Sequence, residues 1–597
     1  MRLILLLAAA AAFAQDIPRP EYPQPQFQRE AWLNLNGTWE FEFDDANTGV
    51  AQNWYSGERK LSRNILVPFC FESKKSGIGD TSFHPWVWYR RSFTLPASFQ
   101  GKRTLIRFGA VDYRAWVWIN GRMVGQHEGG GTPFTFDITD FLKAGPNVVV
   151  VKAEDPPTDR FQPRGKQYWQ PKSQGIFYTR TSGIWQTVWL EAAGSSYLEK
   201  LRITPSLDGL VRFDARLARP ADGLRLHATV RFGQSVVAAG EAANEGPRAG
   251  LALTVADPRL WDPGRPNLYD VTLELRQGAQ VLDRVNSYFG YRQITAENGR
   301  VFLNGRPTYI KMVLDQGYWP ESTITPPSDE AIQYDIRVTK EMGFNGARKH
   351  QKVEDPRFLY WADKMGYLVS GEIANAYLYD EEYAARFTRE WIETVERDYN
   401  HPSVIMWVPI NESWGTPNPR AEAQQHHLRA NYYLTKSIDP TRLVIDNDGW
   451  EHTGTTDLFA FHDYARTGEL LFEKYKDIGK PGNQFPPNGR AGLIPGYQYN
   501  GSPFYLSEFG GIAYIAPGSN VPRDAWGYAG VEPNQDAALE RLKGLYNAIL
   551  KMPQIIGICY TQLTDVEQEI NGLLTYDRKP KFDARAIKAL NDSLVMR

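Results

Sequence analysis

The chain has 597 residues, a formal net charge of −2 and 23% charged residues, a length that predicts roughly two to four domains with ample core. The balanced charge gives no electrostatic basis for binding nucleic acid or an anionic membrane, so we expect neither as a partner. The composition includes 18 Trp and 31 Tyr. Such rings suit stacking on sugars as well as filling large β-sandwich cores, and composition alone leaves the two explanations even.

The first residues read MRLILLLAAAAAFA, with a basic start, a short apolar run and an Ala-x-Ala ending. This pattern is typical of a secretory signal peptide, which we assign to residues 1–14. No later segment approaches the ~20 apolar residues of a membrane span. We therefore expect an exported protein, periplasmic or extracellular, without membrane insertion. Cys70 and Cys559 could pair in an oxidising compartment, but two buried thiols in different domains are the favoured interpretation.

Residues 15–193 alternate short strands with Gly, Pro and Asn turns. Asn120-Gly121 lies between two such strands and predicts a type I′ hairpin. We interpret this part as a jelly-roll β-sandwich that serves as a sugar-binding domain. Residues 194–292 continue with closely spaced strands and turns, which predicts an immunoglobulin-like β-sandwich.

Residues 293–597 change to alternating strands and helices, which predicts a catalytic (β/α)8 TIM barrel. One predicted helix begins at Ser328, since Asp329 and Glu330 fill its first turn. The eight predicted strands are 308–313, 344–348, 367–371, 403–410, 443–446, 458–462, 504–507 and 555–560.

The fourth predicted barrel strand is followed by a charged residue. Its sequence is NHPSVIMWVPINESWG, in which an apolar run is followed by Asn411 and Glu412. Such a glutamate could simply lie in solvent, but barrels carry functional side chains at the carboxyl ends of their strands. The seventh strand ends alike, in SPFYLSEFGG, where Glu508 precedes an aromatic residue and two glycines. Strands four and seven lie nearly opposite in a barrel of eight, so both carboxylates are expected to face one pocket.

Two carboxyl groups about 5–5.5 Å apart are the machinery of a retaining glycosidase. One attacks the anomeric carbon, while the other protonates the departing oxygen and then activates water. Asn411 is placed to hydrogen-bond the sugar hydroxyl at C2, where contacts strengthen in the transition state. The sequence thus predicts Glu412 and Glu508 as catalytic residues.

The same motifs resemble glycoside hydrolase family 2, the group of β-galactosidases, β-glucuronidases and β-mannosidases. The family's order of jelly roll, immunoglobulin-like domain and barrel would cover nearly all of the mature chain. The resemblance implies that Glu412 is the acid/base and Glu508 the nucleophile. It further implies that Tyr464, in AFHDY, hydrogen-bonds the nucleophile and that Arg348 supports its charge.

The positions at which this chain departs from the family pattern bear on which sugar it binds. After strand two the family reads Arg, two residues, then His-Tyr-Pro, whereas this chain reads RKHQKVEDPR, with His350 as a candidate replacement. Family glucuronidases bind the substrate carboxylate through Asn-x-Lys, and the aligned residues here are Glu569-Ile570-Asn571. An acid at that place repels a uronate. We therefore favour β-galactosidase-like specificity, with β-mannosidase, β-glucuronidase and β-galacturonidase as alternatives.

Further strand-end side chains complete the predicted substrate site. The substrate-binding set also includes His462, Asn571, Asp315 and Trp319. For several candidates a purely structural role is an even alternative, namely for Asp315, Trp319, Glu372, Asn375, Asn447, Asp448 and Trp450.

The alternative of another class is a non-catalytic carbohydrate-binding protein. A relic barrel has no physical reason to keep two costly carboxylates in one pocket, so catalysis is favoured. A metal-dependent hydrolase would need a His/Asp cluster at the strand ends, and the sequence shows only the pair His462-Asp463 with Asp446 on another strand. We expect no metal and no cofactor, a carbohydrate as substrate, and leave a homo-oligomer open.

Overall fold

The computed structural model describes residues 17–480 and 487–596. The predicted signal peptide, residues 1–14, lies outside this part. The first strands are β1 (Trp32–Asn34), β2 (Gly37–Phe43), β3 (Arg63–Val67), β4 (Trp86–Phe93), β5 (Arg103–Phe108), β6 (Val111–Asp112), β7 (Arg114–Ile119), β8 (Arg122–Glu128), β9 (Phe134–Asp137), β10 (Asn147–Glu154), β11 (Gly183–Ile184) and β12 (Val188–Ala193).

These strands form a β-sandwich. A four-stranded sheet of order β1-β12-β5-β9 faces a six-stranded sheet of order β3-β2-β4-β10-β7-β8, and buried side chains such as Trp39, Ile106 and Val151 fill the space between them. Asn120 and Gly121 join β7 to β8 with φ of 51° and 79°. Positive φ at both residues is the requirement of a type I′ turn, so the predicted hairpin is confirmed.

The next strands are β13 (Tyr197–Pro205), β14 (Leu210–Ala218), β15 (Leu224–Phe232), β16 (Ser235–Glu245), β17 (Arg248–Thr254), β18 (Trp261–Asp262), β19 (Arg265–Pro266), β20 (Tyr269–Gln277) and β21 (Gln280–Phe289). Seven of them form one sheet of order β13-β14-β17-β16-β15-β20-β21. β16 pairs with β15 over most of its length and with β17 at its end. The sheet therefore folds over a core that includes Phe213, Leu226 and Leu273, as predicted for an immunoglobulin-like sandwich.

The remaining strands are β22 (Ile294–Glu297), β23 (Arg300–Leu303), β24 (Arg306–Pro307), β25 (Ile310–Asp315), β26 (Gly346–Lys349), β27 (Leu368–Glu372), β28 (Val404–Val408), β29 (Leu443–Val444), β30 (Phe459–Asp463), β31 (Phe504–Gly510), β32 (Ala513–Tyr514), β33 (Val531–Glu532) and β34 (Ile555–Thr561). The helices are α1 (Asp329–Glu341), α2 (Pro356–Met365), α3 (Glu381–Asp398), α4 (Glu422–Ile438), α5 (Gly468–Tyr475), α6 (Gln535–Leu550) and α7 (Ala584–Ser593). None of the described helices is long and apolar enough to cross a membrane.

The barrel is a parallel sheet of order β29-β28-β27-β26-β25-β34-β31-β30. Its eight strands are the eight predicted ones, with ends that shift by a few residues. The edge strands β29 and β30 approach each other where Asp457 N donates to Val444 O at 2.9 Å, which nearly closes the barrel. Ser328 caps α1 by accepting from Ala331 N, as predicted.

Alternate side chains of the barrel strands face opposite sides, as in other TIM barrels. Met406 belongs to the interior cluster, whereas its neighbour Trp407 packs outward against the helices and donates to Asp439 Oδ2 at 2.8 Å. The whole of β28 is buried, which fits the predicted apolar strand. Cys70 and Cys559 are both buried and unpaired, so the expectation of two separate thiols is confirmed.

A long connection, residues 155–182, links β10 to β11 and reaches the barrel. Gly165 N donates to Asn375 O after β27 at 3.0 Å, and Tyr178 OH donates to Glu569 Oε2 after β34 at 2.7 Å. Loops of this length inside compact domains usually carry function. The first β-sandwich thus contributes to the same end of the barrel at which the two predicted glutamates lie.

Candidate active site

Arg348, in β26, is a fully buried cation among acidic side chains. Its guanidinium donates to Glu508 Oε1 at 2.8 Å, to Asn411 Oδ1 at 2.6 Å and to Glu372. Asp448 Oδ2 lies 3.0 Å from Nη2. A planar guanidinium presents several donors in fixed directions, so Arg348 sets the relative positions of these side chains.

Glu508 lies in the buried part of β31 and is 4% exposed. Arg348 donates to one of its carboxylate oxygens and the Tyr464 hydroxyl to the other. The ring of Tyr464 stacks on Tyr528 with a centroid separation of 3.5 Å. Donors on both oxygens fix the orientation of this carboxylate.

Glu412 lies in a tight turn after β28, with φ of 52°, and Ser413 follows at 59°. Non-glycine residues adopt this left-handed region at a cost. Hydrogen bonds hold the turn in place. Glu412 N donates to Asp448 O at 2.8 Å, and Asn411 N donates to Asn375 Oδ1 at 2.9 Å. Asn447 accepts from Ser413 N at 2.9 Å, so both asparagines position the turn.

The two glutamates come together with His462. A carboxylate oxygen of Glu412, one of Glu508 and a ring nitrogen of His462 lie within 4.8 Å of one another. His462 Nδ1 is 2.8 Å from Glu412 Oε1 and 3.5 Å from Glu508 Oε2. This spacing of the carboxylates is close to the separation that accompanies retention and too short for a water between them, as inversion requires.

His462 carries a positive charge at neutral pH. Its complete burial opposes the charge, but Glu508, Asp448 and Glu412 outweigh burial and raise the pKa of His462 to about 10. Two glutamates and a histidine could also hold a metal, an arrangement that the sequence did not predict. A histidine binds a metal only as the neutral imidazole, whereas His462 is protonated. Glu508 is already paired with the cation Arg348. The absence of a metal requirement therefore stays a prediction.

Asn411 offers an unused donor inside this cluster. Its Oδ1 accepts from Arg348, while its buried Nδ2 has no hydrogen-bond partner in the described part of the chain. The indole nitrogen of Trp450, whose ring lies 5.6 Å from His462, is also buried without a partner there. Buried donors are rarely left unpaired, so both suit a ligand that brings hydroxyl acceptors.

Two of the predicted substrate-binding residues, Asp315 and Trp319, have their partners outside the cluster of Arg348, His462 and the two glutamates. The carboxylate of Asp315 accepts from Lys349 Nζ at 2.5 Å and from Gly317 N at 2.8 Å. The ring of Trp319 lies 3.6 Å from the guanidinium carbon of Arg578. Across residues 17–480 and 487–596, neither side chain makes a hydrogen bond or ion pair with Glu412 or Glu508. These contacts favour the structural alternative for both.

His350 and Asn571 touch the edge of the cluster through other residues. His350 Nδ1 lies 3.2 Å from Glu372 Oε2. Burial first, and then the charge of Arg348, hold the pKa of His350 well below its usual range, so this ring is neutral. Asn571 Nδ2 donates to Glu569 Oε1 at 3.0 Å. Burial raises the pKa of Glu569, and the charge of Lys166 opposes that rise.

Sequence reasoning missed Tyr528, Tyr178 and Lys166. Tyr528 stacks on Tyr464, and Tyr178 donates to Glu569. The ammonium of Lys166 lies 4.9 Å from the ring centre of Trp414, two residues beyond Glu412. Lys166 and Tyr178 come from the first β-sandwich, so no local pattern in the barrel sequence could have signalled them.

Three family models match most of the chain. They are described as glycosyl hydrolases family 2, sugar binding domain, over residues 33–191; glycosyl hydrolases family 2, over residues 196–292; and glycosyl hydrolases family 2, TIM barrel domain, over residues 294–470. They follow the chain order that the sequence resemblance implied.

Individual relatives are more distant. A putative β-glucuronidase of Formosa agariphila is 26% identical over 70% of this chain and 40% of its own length. A β-galactosidase of Leuconostoc mesenteroides subsp. mesenteroides is 26% identical over 79% of this chain and 47% of its own. The chain thus spans less than half the length of these two relatives. The structure of Bifidobacterium dentium β-glucuronidase with coumarin-3-O-glucuronide superposes with a TM-score of 0.79 at 20% identity, covering 96% of this chain and 99% of that one.

The raised pKa of His462 makes stability depend on pH. Below about pH 6.5 the ring is protonated in both the folded and the unfolded chain, and its stabilising contribution is complete. As pH rises from about 6.5 towards 10, the unfolded chain releases the proton first, so the free energy of unfolding falls. Denaturant unfolding at several pH values should show this loss, by up to a few kcal/mol, and a smaller one in His462→Gln.

The control for this measurement is His426→Gln. The side chain of His426 is 63% exposed, so this variant should follow the unmodified protein across the range. An identical pH dependence in His462→Gln and in the unmodified protein would show that His462 does not hold the proton.

Proposed function

This chain belongs to glycoside hydrolase family 2, and on that premise we propose that it is an exported retaining exo-β-glycosidase that hydrolyses terminal β-linked sugars. The observation that carries the proposal is the approach of carboxylate oxygens of Glu412 and Glu508 to within 4.8 Å. Export is supported by the pattern of residues 1–14. The complete acid and nucleophile pair favours catalysis over a non-catalytic carbohydrate-binding role.

In the first step Glu508 attacks the anomeric carbon. A covalent bond forms between a Glu508 oxygen and that carbon, while the bond to the leaving oxygen breaks and its electron pair stays on that oxygen. Glu412 gives the leaving oxygen a proton. Arg348 and Tyr464 hold the attacking carboxylate in place, since each donates to one of its oxygens.

In the second step water replaces the enzyme on the sugar. Glu412, now deprotonated, takes a proton from water, whose oxygen attacks the anomeric carbon, and the bond to Glu508 breaks. Two inversions give net retention. The free Nδ2 of Asn411 is available to the hydroxyl at C2, where a hydrogen bond lowers the energy of the oxocarbenium-like transition state.

His462 offsets the repulsion between the two acidic side chains. Its cationic ring lies 2.8 Å from a Glu412 oxygen and 3.5 Å from a Glu508 oxygen. The positive charge stabilises Glu508 as an anion, while the Nδ1–H of the ring can donate to an oxygen of Glu412 whether or not Glu412 carries its proton. We assign His462 a positioning role towards Glu412.

The sugar is either a neutral β-galactoside or a β-uronide. Glu569 would repel a uronate only as an unopposed negative charge. Tyr178 and Asn571 both donate to Glu569, and the charge of Lys166 acts on it. Because the relatives are named for both kinds of sugar, we treat the two specificities as equal candidates.

The nucleophile can be identified by trapping. Glu508→Ala should lower turnover by roughly 10⁴- to 10⁶-fold, because no other carboxylate replaces it at the anomeric carbon. The unmodified enzyme, incubated with 2-deoxy-2-fluoro-β-galactosyl or -glucuronosyl fluoride, should carry the label on Glu508 in peptide mass spectrometry. Glu540→Ala, at a side chain 78% exposed, is the matched control and should retain activity. A label on any other carboxylate would falsify the assignment.

The acid/base can be identified by chemical rescue. Glu412→Gln keeps the nucleophile but cannot donate a proton, so it should still cleave aryl glycosides whose leaving groups need none and should stall on alkyl glycosides. Added azide should restore turnover and give the β-glycosyl azide, identified by its anomeric proton coupling. An α-azide, or azide that fails to restore turnover, would mean that the two roles are exchanged or misassigned.

A further inference from the structure

Lys166 is a buried cation without a partner. It lies on the connection of residues 155–182, is 7% exposed, and its ammonium makes no hydrogen bond or ion pair with any residue that the structure describes. The ammonium lies 4.9 Å from the ring centre of Trp414. Most of this side chain is covered by protein, and a charge in such a place is stabilised by a negative partner more than by a cation–π contact alone.

The backbone around Lys166 leaves it little freedom. Gly165 has φ of +55°, and a Cβ there would come within 2.3 Å of the Gln351 carbonyl oxygen. Gly165 N donates to Asn375 O at 3.0 Å, and its carbonyl accepts from the Tyr377 hydroxyl. On the other side Lys166 O accepts from Tyr178 N at 2.8 Å. The backbone at Lys166 is therefore fixed by the barrel through Gly165 and by the connection itself through Tyr178.

The ammonium lies near the candidate active site, because Trp414, whose ring it faces, is two residues beyond Glu412. Lys166 and His350 line the same cavity of about 40 Å³, and His350 lies next to Glu372, which Arg348 contacts. His350 is neutral and therefore offers no positive charge to a negative ligand. Glu569, whose carboxylate feels the charge of Lys166, is engaged by Tyr178 and Asn571 and lies outside ion-pair distance of the lysine. Lys166 thus has a positive charge left for a ligand.

From these contacts we propose that Lys166 is a specificity-determining residue, which binds an anionic substituent, a carboxylate or a sulfate, on the sugar held between Glu412 and Glu508. The proposal rests on the proposed glycosidase function. The ammonium donates to the anion, a hydrogen bond that charge on both partners strengthens, while Trp414 offers its ring face to the sugar. The first β-sandwich would then supply the selectivity and the barrel the chemistry.

The test compares matched pairs of aryl β-glycosides, namely galactoside with galacturonide, glucoside with glucuronide, and galactoside with galactoside 6-sulfate. The unmodified enzyme should prefer the anionic member of at least one pair by kcat/KM. Lys166→Met should reduce that preference roughly 10- to 100-fold, the range expected for a hydrogen bond between charged groups. The pair that responds distinguishes a carboxylate from a sulfate. Lys172→Met, at an exposed lysine of the same connection, should leave the preference unchanged.

A binding measurement separates this proposal from the glycosidase proposal. Glu508→Gln should bind galacturonate, glucuronate or galactose 6-sulfate more tightly than galactose and glucose in calorimetry, whether or not any glycoside is cleaved. Adding Lys166→Met, or Lys166→Gln as a second neutral variant, should abolish the difference. Equal binding of neutral and anionic sugars, or an anionic preference that survives both substitutions, would overturn the role of Lys166 and leave the roles of the glutamates untouched.

Discussion

The guanidinium of Arg348 ties together the ends of five barrel strands. It lies at the end of β26 and contacts Glu372 of β27, Asn411 after β28, Asp448 after β29 and Glu508 of β31. Three buried acidic side chains would repel one another without this cation. Removing one partner of a buried ion pair commonly costs about 3–5 kcal/mol, because the remaining charge is left uncompensated. The positions of both glutamates depend on this contact, directly for Glu508 and through Asn411 for the turn that carries Glu412.

The second cation, His462, completes the balance of charge. Burial of Asp448 would raise its pKa, but Arg348, His462 and Ser507 together lower it, so Asp448 remains an anion that keeps His462 protonated. Burial raises the pKa of Glu372, against the influence of Arg348. The charged side chains around Arg348 and His462 are therefore held in fixed positions before substrate arrives. Such preorganisation is usually the largest contribution to enzymatic rate.

Local patterns predicted the barrel strands and both glutamates, because a buried parallel strand is a continuous apolar run and its charged end is conspicuous. The predicted end of the fourth strand, residue 410, was too far along. β28 stops at Val408, since Pro409 has no N–H for the ladder. Charge partners were harder to foresee. Asp315 lies near the carboxyl end of its strand, as Glu508 does, yet it forms an ion pair with Lys349. Only the pairing of β25 with β26 brings Asp315 and Lys349 together.

Long-range contributions could not be read from the sequence at all. Lys166 reaches the site from a connection in the first β-sandwich, and its place depends on the left-handed conformation of Gly165. Tyr528 enters from the long segment between β31 and α6. Neither has a periodicity or spacing relation to the barrel strands. Their chemistry becomes visible only once the fold places them beside Trp414 and Tyr464.

Under the proposed function, Glu412 and Glu508 act by double displacement with retention. Proton NMR during the first minutes of hydrolysis of an aryl β-glycoside measures this directly. The anomeric protons of the α- and β-anomers of the released sugar have different couplings. The close approach of the two carboxylates predicts that the β-anomer of the free sugar appears first and that the α-anomer follows only by mutarotation. Initial formation of the α-anomer would show a single displacement by water and contradict the account.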